Sequence, residues 1–212
     1  MSTSGTRPRT RKSPQQRSGE IHDAAISLAR EAGLSALTLR AVAARAGVVP
    51  GLVAHYASSM DDLIARTFRE LTESELDDVR TQAATETEPA ARMARMIATV
   101  LSSDHDDVTL VWVDAWSLGR GSAALSVAID AQMNAWQSFI AQIIQDGRRT
   151  GAFRTEDTDA VAWQILAMID GISAHALTRR TDVAPFAARL AQACETLVGA
   201  APGAIGEHLS PS

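Results

Sequence analysis

The chain has 212 residues, 46% apolar but only 4% aromatic, which is enough to build one large or two small cores and leans toward helices over sheet. No uninterrupted apolar run reaches the roughly 18 residues of a membrane span, the basic N-terminus lacks the apolar segment of a signal peptide, and a lone cysteine, Cys194, excludes an internal disulfide and suits a reducing cytoplasm. The net charge of −5 is unevenly spread: residues 1–60 carry eight Lys and Arg against three acids, while residues 61–212 are strongly acidic, so the basic end is expected to meet a polyanion.

In chain order, residues 1–18, "MSTSGTRPRTRKSPQQRS", hold almost nothing apolar and read as a disordered basic arm. Residues 20–32 place Ile21, Ala24, Ala25, Leu28 and Ala29 at helical spacing, and Gly33 ends that helix. Thr38 can cap the next helix, whose Leu39, Val42, Ala43 and Ala46 share a face. Gly47 supplies a left-handed turn, and Pro50 opens a short helix ending near Tyr56. Asp61 and Asp62 start a long helix with Leu63, Ile64, Phe68 and Leu71. Further helices are predicted over 89–102, 108–118, 123–149, 157–180 and 185–198, with Cys194 a packed thiol on the last, and "GAAPGAIGEHLSPS" as a loose tail. The fold class is therefore all-α. Its divisions are an arm over 1–18, an N-terminal three-helix domain over 19–64, a C-terminal helical domain over 65–200 and a flexible tail over 201–212.

Within this pattern, "LTLRAVAARAGVVPGLVAHYASSMDDLI", residues 37–64, is a helix, a glycine turn and a very short second helix. A helix that short is long enough to lay its N-terminal side chains against base edges in a major groove about 12 Å wide. The residues "AAISLAREAGLSALTLRAVAARAGVVPGLVAHYASSMDDLI" resemble the helix-turn-helix domain of the TetR family of bacterial regulators. The wording "PGLVAHY", with "VWVDAW" and "DGRRTGAF" further on, is most similar to the betaine/choline-regulator (BetI-like) branch. The resemblance implies a cytoplasmic transcriptional regulator that binds a palindromic operator on double-stranded DNA as a homodimer. A repressor released by a small-molecule effector, with no cofactor, is the form expected. Carried over position by position, Thr38, Arg40, Pro50, Gly51, Leu52, Ala54, His55 and Tyr56 face DNA, with Tyr56 on phosphate. Val49, Ala54 and Met60 depart from the family: they stand where a capping hydroxyl, an aromatic and a phosphate-binding lysine are common. With no Arg, Asn or Gln on the short helix, base reading is expected to rest on Arg40, thymine methyl contacts and DNA shape. Arg7, Arg9, Arg11 and Lys12 resemble a minor-groove arm.

The resemblance also implies a small-molecule effector site in the larger domain. Met93, Met96, Trp112, Trp116, Met133, Trp136 and Met168 are its candidate lining, set against a plain core reading of the same residues. A choline-type cation would suit tryptophan faces, with Asp114 or Asp170 as counter-charge, although Asp114 is two residues from both Trp112 and Trp116 and so points elsewhere on a helix. Ile165, Ile169, Ile172, Phe186, Leu190, Ala193 and Leu197 are the candidate dimer face, forming a four-helix bundle with a second copy. The stretch Ser102 to Asp107, which contains "SDHDD", reads as a solvated loop and no metal site is expected; His175 reads as a core or interface histidine. No catalytic pattern stands out. The alternatives are an all-helical enzyme using the tryptophan-rich cavity and a structural dimer with a basic tail.

Overall fold

The computed structural model describes residues 13–209, which form nine α-helices and no strand. The arm residues Arg7, Arg9, Arg11 and Lys12 lie outside the described residues. The first helix, α1 (Pro14–Ala32), starts well before residue 20, so residues 14–18 are helical rather than part of a disordered arm. The reason is local: the Ser13 hydroxyl accepts from the Gln16 amide, the Gln16 side chain accepts from the Ser13 amide, and Pro14 occupies the first turn.

Next come α2 (Leu39–Arg45) and α3 (Pro50–Tyr56), joined through Gly47 at φ +65°. The long α4 (Met60–Ala83) is capped by Ser59, whose hydroxyl accepts from the Asp62 amide. Beyond it lie α5 (Pro89–Val100), α6 (Asp106–Leu118), α7 (Ala123–Thr150), α8 (Thr158–Arg179) and α9 (Ala184–Val198). Gly151, at φ +80°, ends α7 in the left-handed region a helix stop favours.

Two apolar cores run through this bundle. One joins α1, α2, α3 and the first half of α4 to Val111 and Ala115 of α6 and to Leu125, Ala128 and Ile129 of α7. The other joins the end of α4 to α5, the rest of α7, α8 and α9. The three N-terminal helices thus share a core with α6 and α7, and packing does not divide at residues 64–65. Trp112 is partly buried against both cores, at the seam between them.

Residues 201–209 are not loose. The Glu195 carboxylate accepts from the amides of Gly203, Ile205 and Gly206, each at 2.9 Å, and Ile205 is fully buried. The composition, rich in Gly, Ala and Pro, predicts no regular structure, yet one buried carboxylate satisfies three backbone donors at once.

Candidate functional site

At one end of the molecule α2 and α3 stand with their apolar backs buried and their other face open. Val42 and Val53 are fully buried, with Leu39 and Val48 partly buried against the same core. On the open side Thr38, Arg40, Pro50, Gly51, Ala54 and His55 are exposed, and Leu52 and Tyr56 half-buried. The Thr38 hydroxyl caps α2 by accepting from the Ala41 amide at 3.2 Å. Val49, at the N-cap of α3, makes no such bond and is 69% exposed. The rings of His55 and Tyr56 meet edge-on at 5.0 Å. Arg40 forms no ion pair or hydrogen bond among the described residues, whereas Arg45 is tied to Ser27 and Glu31 of α1 and braces α2. Free charge near this face therefore falls to Arg40.

The second feature is a chamber in the other core, about 30 Å³ in volume, room for one water-sized group. Trp112 of α6, and Met133 and Trp136 of α7, line it as the sequence suggests. Met93 and Met96 do not: both are fully buried in the packing of α5. Trp116 lies 6.0 Å from Trp112 and packs in the N-terminal core, and Met168 faces outward on α8. Periodicity told which of these residues are apolar and inward, but not which inward face meets a void.

The polar part of the chamber includes Asp170, one of the two candidate counter-charges, and Glu75, which no apolar pattern announces. Glu75 of α4, 5% exposed, accepts from the Trp112 indole N–H at 3.0 Å and faces His105 Nδ1 at 3.7 Å. That contact with Glu75 raises the His105 imidazole above its usual value, against the opposing effect of burial. His105 thus sits in a short 3-10 turn, Ser103–His105, half-buried against α4, and is not part of a free loop. Asp170 of α8 also borders the chamber, and burial first, the Glu75 charge second, push its carboxyl up to about 7. Asp170 is therefore the chamber's second carboxylate, while Asp114 is turned away. The Asp114 carboxylate accepts from the Ser35 amide at 2.8 Å, beside Gly33 at φ +79°, where an added Cβ would come within 2.4 Å of Asp114 Oδ2. Arg30 of α1 pairs with Asp107 of α6 at 2.5 Å, a second tie between α6 and the N-terminal helices.

The chamber and the open face of α2 and α3 are linked through Trp112, whose ring stands edge-on to Phe68 of α4 at 4.9 Å and 89°. Phe68 is fully buried in the core that supports α2 and α3.

Along the outer side of α8 and α9 runs a groove of about 500 Å³ that includes Met168, Ile172, His175, Phe186, Leu190 and Ala193. Phe186 is 43% exposed. Ile165, Ile169 and Leu190 are 0%, 3% and 2% exposed, so the subunit's own core holds them, and Leu197 is half-buried. α8 is apolar on more than one side: its inner side packs in this core and its outer side lines the groove. Its length and mean hydropathy would also allow a membrane crossing by composition alone.

Comparison with known proteins agrees with this arrangement. A family profile described as "BetI-type transcriptional repressor, C-terminal" matches residues 89–201, and one described as "Bacterial regulatory proteins, tetR family" matches residues 21–67. The HTH-type transcriptional regulator BetI of Burkholderia thailandensis is 32% identical over 108 residues, 48% of this chain and 53% of that protein. Its counterpart in Paraburkholderia phymatum is 30% identical over 112 residues, 51% of this chain and 57% of that protein. The chain spans about half the length of the curated relatives it matches. A transcriptional regulator from Saccharomonospora viridis in complex with choline shares the fold with a TM-score of 0.73 at 19% identity, over 87% of this chain and 96% of that one. One from Pseudomonas aeruginosa PAO1 does so with a TM-score of 0.72 at 21% identity, over 94% and 95%. These relatives are regulators, not enzymes. With one profile on the N-terminal helices and the other covering more than half of the chain, this protein belongs to the TetR family of bacterial transcriptional regulators, with a C-terminal domain of the BetI type.

Proposed function

We propose that this protein is a ligand-responsive repressor that grips a palindromic operator as a homodimer and lets go when a small cation enters the chamber beside Trp112. The observation that carries this reading is the position of Trp112. It walls the chamber, bonds to Glu75 and packs on Phe68, which lies in the core behind α2 and α3. At about 30 Å³ the chamber is too small for any organic effector, so binding must spread α4, α6 and α8. A ligand that binds only the spread form shifts the equilibrium toward it. Spread subunits would hold their reading faces at a spacing wrong for operator half-sites about 34–36 Å apart.

A cation is supported by the two carboxylates and two indoles around the chamber, and by the choline held in the fold neighbour from Saccharomonospora viridis. A homodimer through α8 and α9 is supported by the half-exposed Phe186 and the apolar groove around it. Thr38, Arg40, Pro50, Gly51, Leu52, Ala54, His55 and Tyr56 are the DNA contacts in this reading, with the arm residues Arg7, Arg9, Arg11 and Lys12 adding sequence-independent attraction.

The test is a gel shift with the intergenic DNA upstream of the protein's own gene. Binding that survives excess random competitor and weakens on adding choline is the expected result. Binding equal to that of random duplex would end the DNA-reading proposal, and turnover of an amine substrate by the same preparation would favour an enzyme using the chamber.

A further inference from the structure

We propose that Asp170 is the residue by which the chamber selects a cation, and that an alkylammonium ligand enters in exchange for the proton this carboxyl carries when the chamber is empty. The inference rests on the effector reading above and adds to it a specificity residue and a proton.

The two chamber carboxylates are not equivalent. Glu75 already has its partners: the Trp112 N–H at 3.0 Å and the His105 ring at 3.7 Å. Asp170 accepts no hydrogen bond and forms no ion pair among the described residues, though it borders the chamber alongside Trp136, Leu166 and Ile169. A carboxylate largely withdrawn from water, as the half-buried Asp170 is, and given no donor favours holding a proton or a counter-ion. Burial and the neighbouring Glu75 charge push its carboxyl up to about 7, so near neutrality the empty chamber contains it partly protonated.

The charged surroundings explain why no protein group supplies the counter-ion. From α4 come Glu75 and, further from the chamber, Asp78; from the turn before α6 comes His105, and from the start of α6, Asp107. The chamber residues of α5 and α7, Val100, Met133 and Trp136, are not titratable. His105 faces Glu75, whose contact raises its imidazole above the usual value against the effect of burial, with Asp107 and Asp78 adding to the rise. Among the described residues, the chamber wall holds no lysine or arginine that would neutralise Asp170. A quaternary or tertiary ammonium meets this vacancy: its charge pairs with Asp170 and its alkyl groups lie against the faces of Trp112 and Trp136. A neutral ligand of the same shape leaves the carboxyl protonated and gains no pairing, so it loses the electrostatic part of the affinity.

Proton exchange has a measurable signature. Choline and tetramethylammonium, and the uncharged choline isostere 3,3-dimethyl-1-butanol, are titrated into the full-length protein from pH 5.5 to 8.5, following tryptophan fluorescence. Calorimetry at pH 7 in two buffers of different ionisation enthalpy counts the protons released. Expected for the wild type is cation affinity that is flat at high pH and falls about tenfold per pH unit once the pH is well below 7, with net proton release at pH 7. Expected for Asp170→Asn is at least a tenfold loss of cation affinity at pH 8, a smaller pH slope and undiminished binding of the isostere. Isostere binding shows that the variant's chamber is intact, and any slope left belongs to His105. If a cation binds the wild type and Asp170→Asn with the same affinity and slope, Asp170 has no such role and the effector reading survives. If no cation binds at any pH, the effector reading fails and this inference with it.

Discussion

Val49 stands at the N-cap of the helix that would enter the groove, and its isopropyl group leaves the first amides of α3 without a side-chain acceptor. Val49→Ser should supply that acceptor and raise stability by about 1 kcal/mol. For a chain of this size that is roughly 2–4 °C in Tm, read from a thermal melt. The cap at Thr38 and the positive φ at Gly47 were legible in the sequence, because each is a bond or a dihedral within a few residues. The bond from the Ser35 amide to Asp114 joins positions 79 apart and has no local signature. Asp114→Ala should lower stability by about 1 kcal/mol and speed amide exchange at Ser35. It should also shrink the factor by which choline weakens operator binding, while choline binding followed by tryptophan fluorescence stays unchanged. An unaltered factor would confine Asp114 to a structural role.

Among the elements, α6 and the C-terminal segment departed most from their reading as a plain helix and a tail. α6 carries Trp112 toward the chamber and Asp107 and Asp114 toward α1 and its turn, so one rigid rod touches both ends of the proposed switch. The segment after α9 is held by Glu195. Burial opposes the Glu195 charge, but bonds from the Gly206, Gly203 and Ile205 amides outweigh it and hold the carboxyl below its usual value. A lowered carboxyl contributes stability that is fully present above the unfolded value of about 4.3 and is lost as the pH falls through the folded one. Amide protection at Ile205 and Gly206, once corrected for the intrinsic exchange rate, should therefore be constant from about pH 8 to 5 and decline below about pH 4. Glu195→Ala should remove that protection at pH 7 as well.

At the scale of the whole molecule, the proposed function needs two copies. Phe186, 43% exposed, lines the groove of about 500 Å³ along the outer side of α8 and α9. Phe186→Asp should place a charge there with little effect on the subunit's own core. Sedimentation should then report a monomer, and operator affinity should fall by two orders of magnitude or more, since each subunit would hold its half-site alone. A dimer that survives this change would move the interface elsewhere. The same scale explains the seam at Trp112: the DNA-reading helices are not a module tethered to a larger domain but share a core with α6 and α7. Movement at the chamber thus has a packed route to them.

The sequence by itself determined the all-helical class, the helix-turn-helix and its turn glycine, and the apolar inward faces, because helix period, caps and turn residues act over a few positions. It also carried the family, through wording concentrated in residues 24–64. Only the tertiary structure decided that Met93 and Met96 are core, that Glu75, facing His105, borders the chamber, and that Asp170 rather than Asp114 joins it there. It alone turned Asp114 toward Ser35, drew Ile165 and Ile169 into the subunit and docked the C-terminal segment on Glu195. Each of those facts depends on which helices become neighbours, and a void or a buried charge belongs to the space between helices, not to any one of them.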